Sequence, residues 1–237
     1  MLNNYRFQIL PPVVKNLLII NVLLFIATGV LNSPPFNINL TNILGLHYWE
    51  SNLFKPWQIV TYMFMHGNIP HILFNMFAVW MFGSHIENRW GSKRFLNYYL
   101  LTGLGAAFLH YLIFHFYTLP GIPSQVYSNT YPLTAYEYFL QNSVVVGASG
   151  SLFGILLAFG VLFPNTLLYL YFAIPIKAKY FVIGYGLIEL FSGISNNPGD
   201  NVAHFAHLGG MLFGLLIFGY WKLKNEFYFF SSNIQVF

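Results

Sequence analysis

The chain has 237 residues, 57% of them hydrophobic, 20% aromatic and 7% charged, whereas ordinary soluble domains carry about 25% charged residues. This composition excludes a soluble globular protein and implies an all-α, polytopic membrane protein with room for about six spans of ~20 residues. The net charge of +4 comes from Lys and Arg scattered between apolar runs, a pattern of membrane topology and not of nucleic-acid binding, and the absence of cysteine removes disulfides and thiolate metal sites.

A first span is expected over about 13–31, with Lys15 able to snorkel to the surface. Arg6 and Lys15 before an apolar run loosely resemble a signal peptide, but Asn32-Ser33-Pro34-Pro35 follows in place of a small-residue cleavage pattern, so a retained helix is expected. In the connection that follows, Trp57 to His66 is apolar and aromatic but too short to cross. It reads as a helical segment lying at the interface, where Trp and Tyr are favoured.

A second span is expected over 70–86, opening on Pro70 at a first-turn position where its missing N–H costs little. Glu87 to Arg94 reads as a short charged turn, and a third span as 95–117. Thr118 to Asn142 reads as a loop with a short helix from Ala135 to Leu140.

The fourth span, 144–163, contains Gly147-Ala148-Ser149-Gly150 and no ionisable residue. Leu167 to Ile176 would cover only ~15 Å as a helix, half a bilayer core, so it reads as a loop dipping into the interface. The fifth span, 178–195, contains Glu189. The sixth, 202–221, is followed by Lys222, Lys224 and an aromatic tail. The whole of 1–237 reads as one membrane domain.

Charge checks this layout independently. With six spans, Arg6, Lys15, Arg89, Lys93, Arg94, Lys177, Lys179, Lys222 and Lys224 share one side and Lys55 alone lies opposite. By the positive-inside rule both termini are then cytoplasmic. Spans two, four and six must each begin on the outer face, which sets His71, Ser149 and His207 in the first turns of their helices, on the order of 8 Å in for the last two at ~1.5 Å per residue.

A serine hydroxyl needs an adjacent base to act as a nucleophile, and histidine is the usual one. His204 and His207 are three apart and share a face. His207 is preferred, because Gly210 and Gly214 form a small-xxx-small pair matching Gly150 and Gly154 on span four, and close approach of the two helices would bring Ser149 to His207. His204 is the alternative base. Acyl transfer also needs oxyanion donors: the Ser149 backbone N–H at its helix start, and His71 and Asn75, which share one face of span two.

These motifs resemble those of the rhomboid intramembrane serine proteases: HxxxN as His71-Ile72-Leu73-Phe74-Asn75, GxSG as Gly147-Ala148-Ser149-Gly150, and AHxxGxxxG running from Ala206-His207 through Gly210 to Gly214. Glu87-Asn88-Arg89-Trp90-Gly91-Ser92-Lys93 resembles the family's glycine-serine turn after helix two. The resemblance covers about Trp57 to Gly219. It implies a six-helix rhomboid-like bundle and a Ser-His dyad without a third acid, hydrolysing peptide bonds in or near transmembrane segments of single-pass or other membrane protein substrates held in the lipid bilayer. It further implies Ser149 as nucleophile, His207 as base and then acid, oxyanion support from His71 and Asn75, Phe153 packed on the catalytic imidazole, substrate entry near span five, and a loop, Asn196 to Asn201, over the site. No cofactor is implied.

Other readings stand beside this one. Gly-Ala-Ser-Gly alone would be a helix-packing surface, and the bland role of Glu189 is a hydrogen bond within the bundle. The outer-face histidines, His66, His71, His204 and His207, could suggest zinc, but no carboxylate is spaced with them and that reading leaves Ser149 unexplained; no metal is expected. A catalytically silent rhomboid-like protein that binds client helices is the alternative function, and a transporter lacks the expected inverted repeat. The expected location is a bacterial plasma membrane, with the site towards the extracytoplasmic face.

Overall fold

The computed structural model describes residues 7–121, 134–170, 173–195 and 202–224. Helix α1 (Pro12–Leu31) is followed by α2 (Leu40–Leu44), the short strand β1 (Leu46–His47) and α3 (Gln58–Thr61). Two long helices come next: α4 (Ile69–Trp90) and α5 (Ser92–Gly121). The small helix α6 (Ala135–Asn142), strand β2 (Val144–Val145) and helix α7 (Ser149–Leu162) lead to a hairpin of β3 (Leu167–Leu170) and β4 (Ile174–Lys177). Helices α8 (Ala178–Ser195) and α9 (His204–Leu223) complete the described fold.

Helices α1, α4, α5 and α9 are long and apolar enough to cross a membrane. Their outward faces are unsuited to water: Ile19, Leu23 and Ile26 on α1, Leu73, Phe74 and Phe77 on α4, and Leu212, Leu215 and Leu216 on α9 are all exposed. So large an apolar surface is stable only against lipid. The protein is an integral, multi-pass, all-α membrane bundle.

Helix α7 differs from the expected fourth span. It starts at Ser149 and not at Val144, because Val144 and Val145 are in an antiparallel ladder with His47 and Leu46. Gly147 then turns the chain at φ +133°, a conformation that favours glycine, and its N–H donates to the Tyr62 carbonyl at 2.9 Å. With 14 residues, α7 rises only ~21 Å, less than a ~30 Å hydrocarbon core. It is not among the helices long enough to cross, and Gly150 to Leu156 and Ala158 to Gly160 are buried in protein, where lipid thickness sets no requirement.

Two further expectations are corrected and a third gains detail. The segment around Trp57 to His66 forms short helix as expected, with Trp57 and Val60 exposed, Tyr62 and Met63 fully buried, and the Tyr62 hydroxyl donating to the Gly103 carbonyl of α5 at 2.8 Å. It is held inside by Gln58, whose amide donates to the Asn42 and Leu53 carbonyls at 3.0 and 2.9 Å. Helix α4 runs through Glu87 to Trp90, and Gly91, at φ 78°, ends it; Glu87 is no exposed turn residue but a buried cap for α1, accepting from the Val13 and Val14 N–H groups at 2.9 and 2.8 Å. The stretch after α7 is a hairpin, not an irregular loop. The expected helix near Ala135 is α6, started by a Thr134–Glu137 capping box. The expected cover, Asn196 to Asn201, lies outside the described residues, as do Arg6 and the tail beyond Lys224.

Small residues set how closely the helices approach. A β-carbon on Gly210 of α9 would run into the Gly150 carbonyl of α7, so these two helices touch backbone to backbone. Gly154 faces Thr102 of α5, where a β-carbon would lie 2.6 Å from that side chain, and a β-carbon on Gly214 would lie 2.5 Å from the Tyr98 hydroxyl of α5 and 2.9 Å from Leu157 of α7. Gly154 therefore admits α5 against α7, while Gly210 and Gly214 both bring α9 close to α7.

Candidate active site

Ser149 is the first residue of α7 and His207 stands in the first turn of α9. The Gly150–Gly210 contact places them side by side. The Ser149 Oγ lies 2.8 Å from His207 Nε2, a full hydrogen bond. His207 is buried, and the Phe153 ring, one turn along α7, stacks on its imidazole with centroids 4.3 Å apart and planes within 9°. Tyr185 of α8 stacks on the other side of Phe153 at 5.1 Å.

Glu189 of α8, expected to do no more than hydrogen-bond within the bundle, has a specific place here. It is buried, and one carboxylate oxygen accepts from His207 Nδ1 at 2.8 Å and from His204 Nδ1 at 2.7 Å. A carboxylate only accepts, so Nδ1 of His207 carries the proton and Nε2 offers its lone pair to the Ser149 hydroxyl. His204, the alternative base, makes its bond to Glu189, whereas His207 meets the serine. A lone acid within the apolar run read as the fifth span was the available signal for this role, since ionisable residues in such runs are functional by default; its i+4 relation to Tyr185 aligns both with the site.

On the other side of the serine, a β-carbon on Gly147 would lie 2.8 Å from His71 Nε2 and 3.4 Å from Ser149 Oγ. The His71 ring therefore sits against the Gly147 turn next to the hydroxyl. The Asn68 side chain caps α4 by accepting from the His71 N–H at 2.8 Å. Asn75 is buried one turn on, its Nδ2 3.0 Å from His66 Nε2, and the His66 and His71 rings meet edge to face at 4.9 Å. The Ser149 N–H is among the helix-start donors without an intrahelical acceptor. The arrangement thus brings together a hydroxyl, a base with a fixed tautomer, the Ser149 N–H and the His71 ring, with the Asn75 amide bonded to His66 behind them.

Glu189, His204 and His207 also offer one metal-ligand atom each, within 4.8 Å of one another. The expectation that no carboxylate stands with these histidines is thereby corrected: the spacing along the sequence hid Glu189, which reaches them from a different helix.

A polytopic helical bundle that holds a serine hydroxyl against a buried imidazole at the start of an internal helix is the class these features define. The chain belongs to the rhomboid family: the family's Rhomboid domain model matches residues 53–223. It is 31% identical over 201 residues to RHOMBOID-like protein 12, mitochondrial, of Arabidopsis thaliana, covering 84% of this chain and 55% of that protein. RHOMBOID-like protein 6, mitochondrial, of the same plant is 30% identical, covering 69% of this chain and 43% of its own. Rhomboid protease AarA of Providencia stuartii is 26% identical over 207 residues, covering 85% of this chain and 69% of that protein. The chain spans about half the length of the first two relatives.

Proposed function

We propose that this protein is an intramembrane serine endopeptidase that hydrolyses peptide bonds in or near transmembrane segments of membrane protein substrates, single-pass or otherwise. The observation that carries the reading is the 2.8 Å bond between Ser149 Oγ and His207 Nε2 inside a bundle of this family. Ser149 Oγ attacks the substrate carbonyl carbon as His207 Nε2 takes its proton. The negative charge that develops on the carbonyl oxygen is met by the Ser149 N–H, His71 and Asn75. Collapse breaks the C–N bond, and His207 returns the proton to the departing amine. Water, activated by the same base, then hydrolyses the acyl-enzyme. Phe153 holds the imidazole plane, and Gly147, Gly150, Gly210 and Gly214 hold the distances.

The six-span layout belongs to this reading. Two additions to the four long helices are needed, α7 and α8; α7 crosses inside the bundle, and α8, whose Lys179 and Glu189 lower its mean hydropathy, presents Ile183, Leu187, Ile188 and Phe191 outward. With six crossings the basic residues collect on one side, which makes both termini cytoplasmic and turns the site to the extracytoplasmic face. The whole 237-residue chain is then one rhomboid-like domain, α1 being tied to the family-matched region by Glu87. A bacterial plasma membrane is the proposed setting.

Purified protein in liposomes is expected to cut a single-span substrate, with cleavage abolished by Ser149→Ala and by His207→Ala. Retained cleavage by Ser149→Ala overturns the assignment. The binding-only alternative is separated by a serine-reactive fluorophosphonate, which labels Ser149 in a working protease and leaves it unlabelled in a silent client-binding protein.

A further inference from the structure

We propose that Glu189 is a positioning residue for His207, making the Ser–His pair a Ser149–His207–Glu189 relay held from a third helix. The proposal rests on the protease reading above. Its observations are the shared carboxylate oxygen at 2.8 Å from His207 Nδ1 and 2.7 Å from His204 Nδ1, and the burial of Glu189 among apolar helices.

A neutral imidazole has one N–H and one lone pair. If the proton were on Nε2, the ring would donate to Ser149 and could not take its proton. With an acceptor at Nδ1, the lone pair is directed to Ser149, and when the ring becomes cationic during attack the adjacent carboxylate stabilises it. That is the role an acid plays in the serine-protease triad, here reached from a different direction. The carboxylate comes from α8, the serine from α7 and the histidine from α9.

His204 has a defined part in this arrangement. A buried carboxylate is costly unless its lone pairs are used, and the second imidazole N–H helps to hold the charged oxygen in place. Tyr185, four residues before Glu189, reaches the same ring from its face through Phe153. Helix α8 thus fixes both the in-plane orientation and the tilt of the base.

Two readouts test this, and one does not depend on cleavage. In protein labelled with 15N at histidine, the His207 resonances are expected to show the neutral Nδ1–H form in the wild type and to lose it in Glu189→Ala and Glu189→Gln, with proton density moving to Nε2. In cleavage assays Glu189→Gln is expected to lower kcat by roughly 100-fold or more while KM stays within about 3-fold. Glu189→Asp, which keeps the charged acceptor, is expected to recover part of that loss, and His204→Ala, which removes one of the two donors to the carboxylate but not the acceptor at His207 Nδ1, to lower kcat less than Glu189→Gln does. A His207 ring that remains Nδ1–H in both Glu189→Ala and Glu189→Gln overturns the proposal, whatever happens to kcat. If the wild type neither cuts substrate nor accepts the fluorophosphonate, the protease reading fails while the tautomer measurement still decides the role of Glu189.

Discussion

His66 lies in the connection before α4, outside the membrane-spanning helices, yet it is buried and sits 3.0 Å from the Asn75 amide. Burial, with the neighbouring His71 adding to it, pushes its imidazole down to about 3. In an unfolded chain the same group takes up a proton near pH ~6.5. Between those values the unfolded state binds the extra proton, so the contribution to stability is fully present above ~6.5 and is lost as pH falls towards ~3. The detergent-solubilised protein is therefore expected to lose on the order of 2–5 kcal/mol from this group between neutral pH and the bottom of that window. His66→Gln, whose side-chain oxygen can still accept from Asn75, should show a flatter pH dependence. Identical pH profiles for the two proteins would remove His66 from this role. The sequence carried the histidine's identity and its nearness to the motif on α4, but not its partner. A hydrogen bond between residues nine apart in a loop and a helix has no periodic signature.

At the scale of elements, caps and close contacts decide where the site sits. The N-terminus of α1 has Pro12 in its first turn and no side-chain cap of its own. Its Val13 and Val14 N–H groups are instead met by Glu87, which also accepts from the Ser92 hydroxyl at 2.6 Å. Glu87→Ala leaves these donors buried and unpaired and is expected to cost about 1–3 kcal/mol, read as a lowered unfolding midpoint, while Glu87→Gln, with one acceptor oxygen, should lose less. If Glu87→Ala melts like the wild type, the cap has no energetic weight. The Gly150–Gly210 contact offers a sharper test. Gly210→Ala pushes α9 off α7, and a displacement of ~1 Å at Ser149–His207 is expected to lower kcat roughly 100-fold. Gly219→Ala, on the same helix with nothing within 4 Å of the added carbon, is the matched control and should cleave normally. The small-residue spacing on α7 and α9 revealed that these helices approach closely. It did not reveal that Gly154 would face α5, or that Gly214 would meet Tyr98 of α5 as well as Leu157 of α7, because spacing fixes a helix face and not the neighbour that covers it. The β1–β2 ladder was hidden for a similar reason: Val144 and Val145 have the same apolar character as the helix they precede, and their partners Leu46 and His47 lie far away in sequence.

Across the whole molecule, the bundle places its most polar machinery where lipid does not reach. Helix α7 is short and internal, with Ser149 at its start, while α1, α4, α8 and α9 carry the exposed apolar side chains. The pattern of long apolar runs made this class of fold legible, because runs near 20 residues leave few alternatives. The length of α7 was not legible, since a fully apolar sequence looks the same whether it meets lipid or protein. The number of crossings can be tested directly, because the chain has no native cysteine and single cysteines can be added to it. With six crossings, Lys55→Cys and Val146→Cys are expected to react with a membrane-impermeant maleimide from outside intact cells. Lys93→Cys, Asn165→Cys and Lys177→Cys should react only after the membrane is opened. Reaction of Val146→Cys and Asn165→Cys from the same side would mean that α7 does not carry the chain across. The charge pattern would then need another origin, since Lys177 and Lys179 would no longer lie with the basic residues of the α4–α5 turn.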